Sequence, residues 1–107
     1  MNKFIGTWKI IEMEQWDQEY IDLVEPGYIK FKNDDLGEFV FGTVNGFIDY
    51  RINKHGNNEI IEFSWEGSSE YESACGRGCF EINKENQLYG RLFIHNSDDS
   101  WVRAVKK

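Results

Sequence analysis

The segment FVFGTVNGFIDYRINKHGNNEIIEFSW, residues 39–65, decides the fold because apolar and polar side chains alternate along it between two turn signals. Alternation with a period of two is typical of β-strands that bury one face. Asn45-Gly46 and Gly56-Asn57 are dipeptides that favour the tight turns of β-hairpins. The segment therefore predicts three consecutive antiparallel strands with turns at these two places.

The two turns also predict which residues face each other across the sheet. A turn at Asn45-Gly46 sets Phe41 opposite Tyr50, and a turn at Gly56-Asn57 sets Tyr50 opposite Phe63. A register wrong by one residue would place apolar side chains opposite polar ones, so the agreement of both turns supports a single buried face. That face is predicted to contain Phe39, Phe41, Ile48, Tyr50, Ile52, Ile61 and Phe63.

Turn signals recur on both sides of this segment. Residues 33–37 are predicted to form a turn of three or five residues with Gly37 at a positive φ. Residues 83–87 predict a turn that sets Ile82 opposite Leu88, and residues 96–99 join the last two strands. Between residues 15 and 25, Trp16, Tyr20 and Leu23 recur at helical spacing instead. We predict an all-β antiparallel meander barrel of about seven or eight short strands, with one short helix after the first strand.

The two ends of the chain carry a family resemblance. Gly6-Thr7-Trp8 lies in an apolar first strand, and Arg103 lies in the last strand. This pattern resembles that of the calycins, which include the lipocalins and the fatty-acid-binding proteins. The resemblance implies a lipocalin-like barrel in which Gly6, Trp8 and Arg103 are structural, with the arginine packed across the tryptophan. Trp-Glu-Gly at residues 65–67 and Gly-Arg-Gly at 76–78 also resemble segments of small bacterial proteins to which no activity is attached.

Composition limits the classes of function. We expect the 107 residues to form a single β-barrel domain, residues 1–107. The formal charge of -7, with no cluster of Lys and Arg, argues against nucleic acid as a partner. No apolar stretch is long enough to span a membrane, and the first residues do not resemble a signal peptide, so we expect a cytoplasmic protein without membrane association. Cys75 and Cys79 would then be reduced thiols.

Two polar segments contain side chains that could bind a metal or catalyse a reaction. Cys75 and Cys79 lack a second ligand pair, so we expect no metal and no other cofactor, and Gly76 and Gly78 are read as opening a bulge. Residues 95–100, HNSDDS, contain the groups of a hydrolytic triad, but triad members ordinarily come from separate elements. A hydrolase that uses His95 with Asp98 or Asp99 is the least favoured function, and we expect no catalytic residue.

The aromatic residues and the acidic segment 66–72 suggest binding instead. If that segment is a loop beside the Trp16 helix, carboxylates next to aromatic rings would attract a cationic ligand. The function favoured by the sequence is that of a small lipocalin-like binding protein. Its ligand would be an apolar or amphipathic small molecule, and the acidic segment suggests a cationic one. The aromatic stripe of the strands would then be partly cavity lining rather than wholly core. The predicted ligand-binding residues are Trp8, Trp16, Tyr20, Phe41, Tyr50, Phe63, Trp65 and Glu66.

The alternative is a protein–protein interaction module with a solid barrel core. Several apolar residues lie opposite the predicted core face, which suggests either a homodimer interface or a surface covered by the helix. The predicted interface residues are Val40, Val44, Phe47, Tyr89 and Phe93. The packing of the barrel interior distinguishes the two hypotheses, because a barrel filled with aromatic side chains leaves no room for a ligand.

Overall fold

Eight antiparallel strands follow one another along the chain and close into a barrel, each paired with the next and the last with the first. The computed structural model describes residues 2–107. The strands are β1 Gly6–Met13, β2 Tyr28–Phe31, β3 Leu36–Phe41, β4 Val44–His55, β5 Asn58–Ser69, β6 Glu72–Ile82, β7 Gln87–Ile94 and β8 Asp99–Lys106. One helix, α1 Gln18–Ile21, follows β1. The predicted all-β meander barrel with a short helix after the first strand is confirmed.

Helix α1 is shorter than the segment that predicted it. Asp17 caps it, because its carboxylate accepts a hydrogen bond from the Tyr20 amide at 2.9 Å. Ile21 is fully buried, whereas Leu23 lies beyond the helix and is 60% exposed. The helical spacing therefore identified the correct segment but extended it too far. Trp16, just before the helix, packs on the Phe41 ring with centroids 4.9 Å apart, which places this segment against one end of the barrel core.

The Gly56-Asn57 hairpin has the predicted register. Tyr50 pairs with Phe63, Ile52 pairs with Ile61, and Arg51 pairs with Glu62 on the outer face. Ile82 likewise pairs with Leu88 after the β6–β7 turn. These turns were predictable because their sequence signals coincide with the chain reversals.

The prediction of a turn at Asn45-Gly46 is wrong. The chain reverses at Gly42-Thr43, so Phe41 pairs with Val44, and Gly42 adopts the left-handed φ of 56°. Gly46 lies inside β4 opposite Phe39, where a Cβ atom would come within 2.5 Å of the Phe39 ring. The buried face survives the error, because the two registers differ by an even number of residues and alternation is unchanged.

Two other local expectations are corrected. The residue with positive φ in the β2–β3 turn is Asp35, at 65°, and not Gly37, which pairs with Phe31 in the ladder. The segment 66–72 is not a loop, because β5 and β6 continue to a two-residue turn at Glu70 and Tyr71, with φ of 52° and 72°. Positive φ at both central residues is the geometry of a type I′ hairpin turn, reached here without glycine.

Aromatic side chains fill the barrel. Neighbouring rings contact each other in edge-on, tilted or stacked pairs, among them Phe39 with Trp65 at 4.9 Å and Phe31 with Tyr50 at 5.3 Å. The buried aromatic residues are Phe4, Trp8, Phe31, Phe39, Phe41, Tyr50, Phe63, Trp65 and Phe80. These rings occupy the space that an internal ligand would need, so the aromatic stripe is core rather than cavity lining.

The glycines of β6 make this packing fit. A Cβ at Gly78 would lie 2.4 Å from the Phe63 ring, and one at Gly76 would lie 2.8 Å from the Trp65 indole nitrogen. The pairing of β5 with β6 runs without a register shift, so the predicted bulge at these glycines is absent from this ladder. The glycines instead leave room for two large rings on the inner face.

The expected contact between Trp8 and Arg103 does not form. Trp8 is buried, whereas Arg103 lies on the outer face between the inward-facing Val102 and Ala104, and it pairs with Glu12. Lys106 has the alternation parity of Ala104, and its ammonium group lies 4.7 Å from the centre of the Trp8 ring. The basic residue over the first-strand tryptophan is therefore Lys106.

Candidate functional site

A groove opens at the barrel end that carries α1, between the helix segment and the turns that follow β5 and β7. We call it the helix-end groove, and it has a volume of about 450 Å³. Its lining brings together three stretches that are far apart in sequence: the Trp16–Tyr20 segment, the β5–β6 hairpin tip and the β7–β8 turn. The residues that line it are Trp16, Tyr20, Val44, Ser69, Glu70, Glu72, Ser73, Ala74, Ile94, His95, Ser97 and Asp98.

One wall of the helix-end groove is aromatic. The Trp16 and Tyr20 rings stack with centroids 6.3 Å apart and an interplanar angle of 24°. The Tyr20 hydroxyl shares a hydrogen bond of 3.0 Å with the Thr43 hydroxyl, which fixes the ring against the β3–β4 turn. Within residues 2–107 the half-buried Trp16 side chain makes no hydrogen bond to the protein, so its indole N–H is free to bind another group.

Three acidic residues line the same groove. Glu70 lies at the β5–β6 turn, Glu72 begins β6, and Asp98 lies in the β7–β8 turn. None of these three carboxylates has a cationic nitrogen within 4.0 Å in the part of the chain that the structure covers. Unpaired carboxylates facing aromatic rings create a negative potential that attracts an organic cation.

The predicted ligand-binding residues divide into three groups. Trp16 and Tyr20 line the helix-end groove. Glu66 lies on the outer face of β5, where it pairs with Phe47. The other five are barrel core: Trp8, Phe41, Tyr50, Phe63 and Trp65.

The polar atoms of the core aromatics are satisfied by the protein itself. The indole N–H of Trp8 donates to the Phe4 carbonyl at 2.9 Å, and that of Trp65 donates to the Phe93 carbonyl at 3.2 Å. The Tyr50 hydroxyl donates to the Lys32 carbonyl, and burial raises the pKa of this hydroxyl above its usual value. Their polar atoms are bound within the protein and their rings are buried, so these side chains belong to the barrel core and not to an open site.

Sequence reasoning missed several lining residues. Ala74 and Ile94, which pack against the core beside the groove, carried no signal of binding. Thr43 does not line the groove but fixes the Tyr20 ring, and it carried no signal either. Glu70 and Glu72 had been noticed as an acidic segment, and His95 and Asp98 as a polar turn. Only the closure of the barrel shows that the two segments face the same aromatic pair.

In residues 2–107, the His95 side chain makes no hydrogen bond to the side chains of Ser97, Asp98, Asp99 or Ser100. Ser100 is fully buried, and its hydroxyl accepts hydrogen bonds from the amides of Glu14 at 3.0 Å and Gln15 at 3.3 Å. Asp99 is bound to Arg91 at 2.5 Å. Ser100 and Asp99, at the start of β8, thus hold neighbouring strands and segments together.

The two cysteines are free and exposed on the outer face of β6. Among residues 2–107, no group of three or more His, Cys, Asp and Glu side chains is arranged to hold a metal ion. Phe47 and Tyr89 are 68% and 42% exposed, but Val44 is buried inside the barrel, so its assignment to an interface is wrong. Tyr89 lies beside Trp101, at 6.3 Å between centroids, rather than beside Phe47.

The remaining interface residues are Val40, half-buried on the outer face of β3, and Phe93, half-buried beneath the Arg77 guanidinium. The predicted surface is therefore not one apolar patch. Helix α1 does not cover Phe47 or Tyr89 either, so the homodimer stays a prediction.

In comparisons with protein-family models, curated proteins and solved structures, nothing matches this chain. The helix in the described residues is too short to cross a membrane. The side chains of the helix-end groove are therefore the basis for inferring a ligand.

Proposed function

We propose that this protein is a small binding protein that takes an amphipathic cation in the helix-end groove. The observation that carries the proposal is the meeting of the stacked Trp16 and Tyr20 rings with three unpaired carboxylates, Glu70, Glu72 and Asp98, across one concave surface. The filled core favours a ligand at the end of the barrel rather than inside it.

The architecture supports a place among the calycin-like barrels. The closed meander, the helix after the first strand and a basic side chain over the first-strand tryptophan all agree with the resemblance, although Lys106 supplies that side chain and Arg103 does not. A bacterial origin and a cytoplasmic location stay predictions.

Recognition in this groove would combine two modest interactions. A cation over an aromatic ring gains about 0.5–1 kcal/mol at an exposed site and about 2 kcal/mol where water is excluded. Since Trp16 already packs on Phe41, the ligand can contact only the part of the Trp16 ring that Phe41 does not cover. The carboxylates add an attraction that weakens as salt rises. We infer a ligand with an ammonium group and a short apolar part, bound with low affinity.

Binding of 2-phenylethylamine, measured by calorimetry and by tryptophan fluorescence, tests the proposal. The neutral 2-phenylethanol, of nearly the same shape, should bind at least about tenfold more weakly because the carboxylates then contribute nothing. Replacing both Glu70 and Glu72 by Gln should reduce the preference for the amine to what Asp98 alone supports. The matched control is Glu66→Gln, which removes a carboxylate of the same hairpin that lies outside the groove. Equal losses in the control and the double variant would contradict the proposal.

A second function is favoured by one observation, the exposure of Phe47. This ring is 68% exposed on the outer face of β4, beside a groove of about 580 Å³ that also contains Glu66, Cys75 and His95. A solid barrel that presents an aromatic side chain in this way suits an interaction module. If the partner is a second copy of the chain, light scattering should give a mass that rises with concentration, and Phe47→Ser should abolish the rise.

A further inference from the structure

A second groove lies on the outer face of the barrel, away from the helix end. It crosses strands β4 to β7 and has a volume of about 710 Å³. We call it the Arg77 groove after the side chain on which the argument rests. Its polar lining includes Asp49, Arg51, His55, Glu62, Ser64 and Cys79, and its apolar lining includes Ile60 and Phe93.

The packing of the strands fixes Arg77 in this groove. Its backbone pairs with Ser64 of β5 and with Phe93 of β7. The neighbouring Gly76 and Gly78 face inward beneath the Trp65 and Phe63 rings, so alternation directs Arg77 outward. The centre of its guanidinium group lies 4.6 Å from the centre of the Phe93 ring, a cation–π contact that holds the group over the groove.

The two acidic residues of the groove lie next to basic side chains. Asp49 is bound to Arg51 at 2.6 Å, and Glu62 lies 3.8 Å from the His55 imidazole, which attracts it when the ring is protonated. The other arginines behave alike: Arg91 is bound to Asp99, and Arg103 to Glu12. Arg77 alone among the arginines of residues 2–107 has no carboxylate within 4.0 Å, although the chain contains 19 acidic residues.

From this geometry we propose that the Arg77 groove binds an organic carboxylate with an apolar part. A guanidinium group offers two parallel N–H donors that match the two oxygens of a carboxylate, and its contact with Phe93 reduces the freedom lost on binding. The Ser64 hydroxyl on the neighbouring strand can donate a further hydrogen bond. Phe93 and Ile60 provide contact for the apolar part. The site is independent of the helix-end groove and takes the opposite charge.

The first experiment titrates the protein with 1-naphthoate and observes it by NMR. Shifts should concentrate at the Arg77 side-chain N–H groups and at the amides of Ser64, Cys79 and Phe93. Arg77→Gln should weaken binding by about ten- to a hundredfold. Arg77→Lys keeps the charge but loses the paired donors, so its affinity for 1-naphthoate should lie between those of the native protein and Arg77→Gln. The neutral 1-naphthalenemethanol should produce no comparable shifts in the native protein.

The matched control is Arg91→Gln, because Arg91 is bound to Asp99 and does not line the Arg77 groove. It should bind 1-naphthoate as the native protein does. If Arg91→Gln weakened binding as much as Arg77→Gln, binding would respond to the total charge of the protein and the assignment to Arg77 would be overturned.

The cysteines provide a second measurement. Cys79 lines the Arg77 groove, whereas Cys75 lines the neighbouring groove beside Phe47. In the single-cysteine variants Cys75→Ser and Cys79→Ser, saturating 1-naphthoate should slow the reaction of Cys79 with iodoacetamide and leave the rate of Cys75 unchanged. Equal rates with and without 1-naphthoate at Cys79, or equal slowing at both thiols, would overturn the proposal.

Discussion

The ammonium group of Lys106, in the last strand, lies 4.7 Å from the centre of the Trp8 ring in the first strand. The same group donates a hydrogen bond to the Ile5 carbonyl. Gly6 permits this arrangement, because a Cβ at that position would lie 2.8 Å from the Lys106 side chain. The pattern of glycine and tryptophan in β1 therefore makes room for a side chain that connects the two termini of the barrel.

Lys106→Ala should lower the free energy of unfolding by about 0.5–1 kcal/mol, the usual size of an exposed cation–π contact. The fold should remain, because Trp8 stays buried and its indole N–H stays bound to the Phe4 carbonyl. Urea denaturation followed by tryptophan fluorescence measures the change. Arg103→Ala is the control, since it removes only a partly exposed ion pair with Glu12 and should cost less. A loss in the Lys106 variant no larger than that in the control would contradict the role assigned to Lys106.

Gly78→Ala should destabilise the barrel by about 1–3 kcal/mol, the usual cost of overpacking a core. The new methyl group would meet the Phe63 ring at 2.4 Å, and that ring is held between Phe31 and Phe80. Thermal unfolding checks the loss. Cys79→Ala changes the next residue of the same strand on its exposed face and should leave the melting temperature nearly unchanged. An unchanged melting temperature for Gly78→Ala would mean that the interior is looser than described.

The two hairpin signals show what sequence can and cannot predict here. Gly56 has nothing within 4 Å of a Cβ position and turns the chain, as its sequence suggests. Gly46 has the same local appearance but provides space for the Phe39 and Trp65 rings, which come from other strands. A short-range pattern cannot separate these two uses of glycine. Alternation, by contrast, gave the correct buried face under either register.

The candidate site divides in the same way. Trp16 and Tyr20 were recognised because their helical spacing departs from the strand pattern around them. Trp65 was assigned to a binding site although its indole N–H is bound to the Phe93 carbonyl, 28 residues further along the chain. Whether a buried aromatic side chain has a free polar atom depends on such distant partners, which barrel closure determines.

Ser100→Ala should cost about 1 kcal/mol, because it removes the side-chain acceptor of the Gln15 amide and one of the two acceptors of the Glu14 amide, which also donates to the Trp101 carbonyl at 3.1 Å. The Ser100 hydroxyl accepts from the Glu14 and Gln15 amides and donates to the Trp101 carbonyl, so it ties β8 to the segment that leads into α1. Ser97→Ala, in the exposed part of the same turn, is the control. Hydrogen exchange should accelerate at the Gln15 amide in the Ser100 variant only, whereas the Glu14 amide keeps its bond to the Trp101 carbonyl. Unchanged protection at Gln15 would contradict the assigned role.

Tyr28 should make stability fall between about pH 10 and pH 12. Burial, followed by the hydrogen bond from its hydroxyl to Glu38, raises the pKa of Tyr28 to about 12 from the ordinary value of 10.0. A group with a raised folded-state pKa contributes stability that is complete below the unfolded pKa and is lost as the pH rises through the folded one.

Tyr28→Phe should therefore flatten the decline in the free energy of unfolding over this range, measured by urea titration at fixed pH. Tyr50, whose pKa is also raised by burial, should leave a residual decline. Tyr71→Phe is the control, because Tyr71 is fully exposed at the β5–β6 turn, and it should keep the native pH dependence. If the Tyr28 variant lost stability as steeply as the native protein, its bond to Glu38 would not persist in solution.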